Sequence, residues 1–398
     1  MSVTAARGFR AAGVCAGLKA SGKPDLALVV NDGPLDTAAG VFTTNRVVAA
    51  PVVWSRRLLA GQEGGRPGHA RAVVLNSGSA NACTGEQGLR DTEATAACAA
   101  GLLRTEPGQV LVCSTGVIGE RIDMPVLLEG IDVAALALAD TPRAGIDAAT
   151  AIMTTDTVSK EDVLTVGTGE KGWTIGGMIK GVGMLAPGLA TMLAVITTDA
   201  VLTPREAQDA LASVTARTVN RINSDGCMST NDTVLLLASG ASGVTPSRAE
   251  FDEALTDVMG RLGRRLVADA EGATHDIAIT VSGAVSEAAA EAAARTVSSS
   301  NLLKCAVAGA DPNWGRVLSQ LGTVPEDVCP FKPDEVDVTI NGVTIFRHGA
   351  PDQDRDSVDM SPRETRIDIA LSAGQAEATV WTNDLTHGYV TINADYTT

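Results

Sequence analysis

The chain has 398 residues, 45% hydrophobic and 20% charged, a balance that marks a folded globular protein and excludes a disordered one. Its formal net charge of -16 leaves no cationic footprint for phosphate backbones or anionic lipid, so neither a nucleic-acid nor a membrane role is expected. No apolar run approaches the roughly 18 residues that cross a bilayer, and Lys19 and Lys23 cut short the first apolar segment, so no secretory signal is expected.

In chain order, apolar runs closed by Gly, Asn, Asp or Ser predict strands over 25–30, 70–78, 109–116, 191–200, 231–240 and 275–283. Thr203, Pro204 and Glu206 form a capping box with a proline start, which predicts a helix over 203–222. Phe251, Leu255, Val258, Leu262 and Leu266 recur at helical spacing as one apolar stripe. From Asp334 the chain is strand-rich, in "EVDVTING", "VTIFRHG", "RIDIALSAG" and "EATVWTND". With aromatics at only 3%, the core must be packed from Ala, Val, Leu and Ile. No linker, low-complexity tract or repeat divides the chain. The fold class is α/β, with layered sheets and helices.

Seven cysteines, an odd number with no C-x-x-C pair, suit free thiols in a reducing cytoplasm. The four histidines form no ligand cluster, so no metal is expected, and no cofactor either. Two strand ends run into hydroxyl-rich loops, "NSGSANACTG" (76–85) and "CSTGVIGE" (113–120). Such loops can aim N–H groups at developing negative charge. Taken alone, most Ser/Gly turns are only turns.

The stretch "KGVGMLAPGLATMLAVITTDA" (180–200) differs in kind, because a glycine- and proline-broken half meets a stiff apolar run at one small hydroxyl residue, Thr191. A Thr hydroxyl beside a strained peptide bond can attack the preceding carbonyl, turn amide into ester and let water complete the cut. The product is an N-terminal threonine whose α-amine, with an ordinary pKa of about 8, can act as base for its own hydroxyl. Small Ala190 leaves the carbonyl open to attack. A lone Thr after Ala is nevertheless most often just a strand start.

Its company changes the balance. "CSTGVIG", "AIMTTDT" (151–157), "KGVGML.P..ATML" (180–193), "STND" (229–232), "DAEGAT" (269–274), "DPNWGR" (311–316) and the final "NADYTT" occur together in this order. Over essentially the whole chain this combination resembles the ornithine acetyltransferase family. The resemblance implies transfer of acetyl from N-acetylornithine to glutamate in arginine biosynthesis, through an acetyl-Thr191 intermediate, with acetyl-CoA as an open second donor. It implies the layered fold shared with self-processing aminopeptidases and a cut between Ala190 and Thr191. Fragments 1–190 and 191–398 would then form one interleaved catalytic unit, assembled as a cytoplasmic heterotetramer of two chains of each kind. It further implies Thr115 and Gly116 as the oxyanion hole, and Thr154, Lys180, Glu271, Asn393 and Thr398, with Thr191, as substrate-binding residues. On spacing alone Lys180 reads as a surface charge beside a turn and Glu271 as the end of an amphipathic helix, and only the resemblance reverses these readings, while Trp314 is a structural anchor. The sequence departs from the pattern at Cys227, Cys305 and His275; the last leaves the local charge open, with either His275 or a water to offset Glu271 when glutamate binds. A self-processing aminopeptidase or amidohydrolase, a secondary-metabolite paralogue and a non-catalytic anion-binding protein are the competing readings.

Overall fold

Alternation along two strands builds the centre of the molecule. In Leu193–Thr198, Leu193 and Val195 enter one apolar cluster while Ala194 and Ile196 enter another. Thr233–Ala238 does the same, with Leu235 and Leu237 on one side and Val234 and Leu236 on the other. A sheet buried on both faces needs a layer on each side of it. The computed structural model describes residues 2–185 and 192–395. Ala190, Thr191 and Thr398, singled out above, lie outside the described residues.

This central sheet has five strands, in the order Thr37–Phe42, Thr233–Ala238, Leu193–Thr198, Trp173–Lys180 and Lys160–Val166. Thr233–Ala238 and Leu193–Thr198 run parallel, and every other pair is antiparallel. One face packs on a four-stranded sheet ordered Phe9–Val14, Leu26–Asn31, Ala72–Ser79, Val110–Val117. The other face is covered by helices Pro204–Arg217 and Arg248–Ala268. Helices Gly85–Leu103 and Met124–Leu136 pack on the four-stranded sheet, so the layers run helix, sheet, sheet, helix.

The C-terminal strands form a separate six-stranded sheet, in which Asp276–Ala284 pairs in parallel with Glu364–Ala370 and antiparallel with Ala376–Asn383. Ile277, Ile279 and Val281 turn inward against helix Glu287–Ser298, whereas Glu364, Arg366 and Asp368 stay in water. Trp314 stacks on Phe346 with ring centroids 4.8 Å apart, the anchor its sequence context implies. All seven cysteines are free thiols. Among the described residues no helix is long and apolar enough to cross a membrane.

The predicted strands are present with ends shifted by a few residues. The helix expected over 203–222 keeps its capping box but stops at Arg217, because Thr218 leaves the helical region at ψ -97° and a short 3-10 turn follows. Trp173–Lys180 was not legible as a strand, since Gly176 and Gly177 break its pattern. Close approach explains Gly176: a Cβ there would lie 2.3 Å from the Ser2 carbonyl oxygen.

Strands from both sides of the Ala190–Thr191 junction interleave in the central sheet, and Leu235 is fully buried on the face that packs against the four-stranded sheet. Leu235→Ala should lower stability by about 2–5 kcal/mol through lost contact and a residual cavity. Urea unfolding followed by circular dichroism checks this as a lower midpoint at unchanged slope.

Candidate active site

The two stacked sheets end their strands at one place. Val110–Val117 carries Thr115 and Gly116 near its end, and Trp173–Lys180 ends on Lys180. Gly116 has φ +134°, and a Cβ on it would lie 2.3 Å from the Gly78 carbonyl carbon on the neighbouring strand. Only glycine fits there.

Lys180 is 1% exposed, so it is not the surface charge its spacing allowed. Its Nζ donates to Thr154 Oγ1 at 2.8 Å and to Thr115 Oγ1 at 3.2 Å. Burial pushes its ammonium below the usual lysine value, although Asp156, Asp232 and Glu271 pull the other way. Burial likewise works to raise the Asp156 carboxyl, yet Lys180 and Lys160 beside it hold it down at about 2. Asp156 Oδ1 accepts from Lys160 Nζ at 2.7 Å and from the Gly181 N–H at 2.8 Å, and Oδ2 accepts the Thr154 N–H at 3.0 Å. Lys160 also reaches Asp269 Oδ2 at 2.5 Å, which closes an alternating chain of buried charges behind the cavity.

Glu271 stands three residues beyond the last helical residue, Ala268, and its N–H donates to the Val182 carbonyl at 3.0 Å. Its two carboxylate oxygens accept from Thr155 Oγ1 at 2.9 Å and from Asn393 Nδ2 at 3.0 Å. Asn393 belongs to the C-terminal helix His387–Asp395, which presents Tyr389 and Asn393 one turn apart. Thr115, Gly116, Thr154, Lys180, Glu271 and Asn393 all line a single cavity of about 290 Å³. That size suits a small metabolite.

His275 is the correction. It hydrogen-bonds Asp384 Oδ2 at 3.1 Å and does not line the cavity, so it gives Glu271 no counter-charge. Its short link through Thr274 to the same Asp384 anchors it to the six-stranded sheet instead. Conversely, Thr155, Asp225 and Tyr389 line the cavity without having been singled out. Thr155 lies inside the quoted "AIMTTDT" and Asp225 just before Cys227, so both were within reach of motif reading. Tyr389 carried no signal, because its helix is nearly all exposed and lacks an apolar stripe. Asp225 accepts the N–H groups of Met184 at 2.6 Å and Cys227 at 3.1 Å, and burial raises its carboxyl above the usual value. With Glu271, Asp225 makes part of the cavity lining acidic.

A buried cation, two hydroxyls on it, a strand-end glycine and facing carboxylates can together hold a zwitterionic substrate and stabilise an oxyanion. The chain matches the model of the ArgJ family over residues 10–398. It is 58% identical, over the full length of both chains, to the arginine biosynthesis bifunctional protein ArgJ of Bifidobacterium longum. To the protein of the same name from Streptomyces coelicolor it is 55% identical over 396 residues, again covering both chains. The crystal structure of ornithine acetyltransferase complexed with ornithine from Mycobacterium tuberculosis is 52% identical to it, covering 48% of this chain and 96% of that chain, with a TM-score of 0.44. A family match from residue 10 to the last residue, with relatives identical at more than half of all positions, means that this chain belongs to the ArgJ family.

Proposed function

We propose that this chain is an acetyltransferase of arginine biosynthesis that moves the acetyl group of N2-acetyl-L-ornithine to L-glutamate through Thr191. The convergence of Thr115, Gly116, Thr154, Lys180, Glu271 and Asn393 on one cavity carries this reading. The relatives' name, a bifunctional protein of arginine biosynthesis, supports a place in that pathway and a second activity, for which acetyl-CoA as donor is part of the proposal. Turnover of glutamate with each donor supplied separately tests that point. Thr398 completes the substrate contacts, and the cytoplasm and a heterotetramer of two fragments of each kind complete the proposal.

The chemistry follows from the groups named. Thr191 Oγ bonds to the acetyl carbon while its proton passes to the Thr191 α-amine. The carbonyl oxygen becomes an oxyanion facing Thr115 and the Gly116 N–H. Because Lys180 donates into Thr115 Oγ1, the hydroxyl's own hydrogen is left to donate to the oxyanion, and the bond from a cation polarises it. The C–N bond then breaks and the α-ammonium returns its proton to the departing ornithine nitrogen. Glutamate's amine repeats the steps in reverse on the acetyl ester. Lys180 faces the α-carboxylate common to both substrates, and Glu271 faces the side-chain ammonium of ornithine.

Three outcomes are expected. The purified protein runs in denaturant as fragments 1–190 and 191–398 that co-elute as one species without it, since both supply strands to the central sheet. Thr191→Ala gives one inactive chain by intact mass, and an uncut, fully active wild type would sink the reading.

Thr115→Val should cut kcat by about 10²–10³-fold with little change in KM, the usual cost of one oxyanion donor. Steady-state kinetics showing unaltered turnover would return the loop to the status of a turn.

Glu271→Gln should lower kcat/KM for acetylornithine by roughly 30-fold or more, through loss of one partner of a charge pair, and leave glutamate use much less affected. Equal losses on both substrates would mark Glu271 as structural.

A further inference from the structure

Asp232 is a buried acid that the transfer as described does not use. Its side chain is enclosed, and it immediately precedes strand Thr233–Ala238, the parallel neighbour of Leu193–Thr198. Oδ1 accepts the Met192 N–H at 3.1 Å, and the Met192 carbonyl in turn accepts the Thr233 N–H at 3.1 Å. Oδ2 is buried with no hydrogen-bond partner among the described residues. The hydroxyl and N–H of Ser229 are close enough to favour the carboxylate's charge, although no donor among the described residues bonds Oδ2 with hydrogen-bond geometry. The charged group facing Asp232 is Lys180, around which Asp156, Lys160 and Glu271 are arranged. Lys180 already donates to two hydroxyls. An enclosed carboxylate with one oxygen unpartnered among the described residues is costly, and burial pushes Asp232 well above the ordinary carboxyl value.

A cut before Thr191 alters this balance. It creates an α-amino group whose nitrogen is joined to the Met192 nitrogen by the N–Cα, Cα–C and C–N bonds of a single residue. A carboxylate anchored on the second nitrogen therefore has its other oxygen within a residue's reach of the first.

We propose that Asp232 is the positioning residue of the nucleophile: Oδ1 fixes the amide that follows Thr191, and Oδ2 pairs with the α-amino group that cleavage releases. This rests on the reading of Thr191 as a self-released nucleophile. As Oγ bonds to the acetyl carbon, its proton makes the amine an ammonium, which Asp232 holds in line. The proton leaves with the ornithine nitrogen when the C–N bond breaks, and none stays on Asp232.

Asp232→Asn keeps the size and an acceptor for Met192 while removing the charge. Intact mass of the wild type comes first, and an uncut, fully active wild type overturns the nucleophile reading itself. In cut D232N, kcat should fall about 10²-fold from a misplaced base, with KM within about threefold and an unchanged thermal midpoint. If the variant does not cut, co-expressed fragments 1–190 and 191–398, the second with its initiator methionine removed, provide the same enzyme. The acid limb of kcat/KM should move down by about one pH unit, because an ammonium that loses its carboxylate partner gives up its proton more readily. Wild-type kcat and an unmoved acid limb in cut D232N overturn the inference and leave Thr191 as nucleophile. Should Asn prevent folding, Asp232→Glu keeps the charge one methylene away. A lowered kcat with the wild-type acid limb then supports the inference, and wild-type kcat overturns it.

Discussion

A lysine buried to 1% exposure cannot hold its charge unless carboxylates come with it, and this requirement organises the site. Lys180 draws on the charge of Asp156 nearby, Asp156 brings Lys160, and Lys160 brings Asp269, the last two links short ion pairs out of water. The series ties a strand end, the loop at 154–157 and the end of helix Arg248–Ala268 into one rigid wall. Breaking any member would strand an unpaired charge in the interior. The cavity in front inherits that rigidity, so its hydroxyls stand in place before substrate arrives.

The stacked sheets then explain why the groups meet. Thr115 and Gly116 come from the four-stranded sheet, Lys180 from the five-stranded sheet, and the face-to-face packing of their apolar sides brings both strand ends together. Glu271 and Asn393 arrive from beyond the two sheets, one after a long helix and one on the last helix of the chain. The result is polarised, with a cation at the base and carboxylates on the wall. An amino acid with a carboxylate at one end and an ammonium at the other matches that polarity. Glutamate matches only its first half, and since His275 is engaged by Asp384, no histidine compensates for the second.

Short-range features were legible because their physics is local. The capping box at Thr203, the stripe from Phe251 to Leu266 and the period-two strands near the C-terminus depend only on residues a few positions apart. Trp173–Lys180 escaped notice because Gly176 serves a contact with Ser2, more than 170 positions away, which no window along the chain contains. Tyr389 escaped for a similar reason, since it faces the cavity only because its helix packs beside Gly272.

The sequence by itself determined the fold class, the family resemblance and the set of polar residues worth watching, because alternation, capping and motif order are written along the chain. What only the tertiary structure decided is depth and direction. Lys180 as a surface charge and Lys180 as a buried cation on two hydroxyls are the same letter in the same motif. Glu271 as a helix end and Glu271 as an acidic wall differ only in what Val182 and Asn393 hold it against. His275 was placed beside Glu271 by its number and beside Asp384 by the sheet. Burial and partner choice are set by residues distant in sequence, so they exist only once the sheets have stacked.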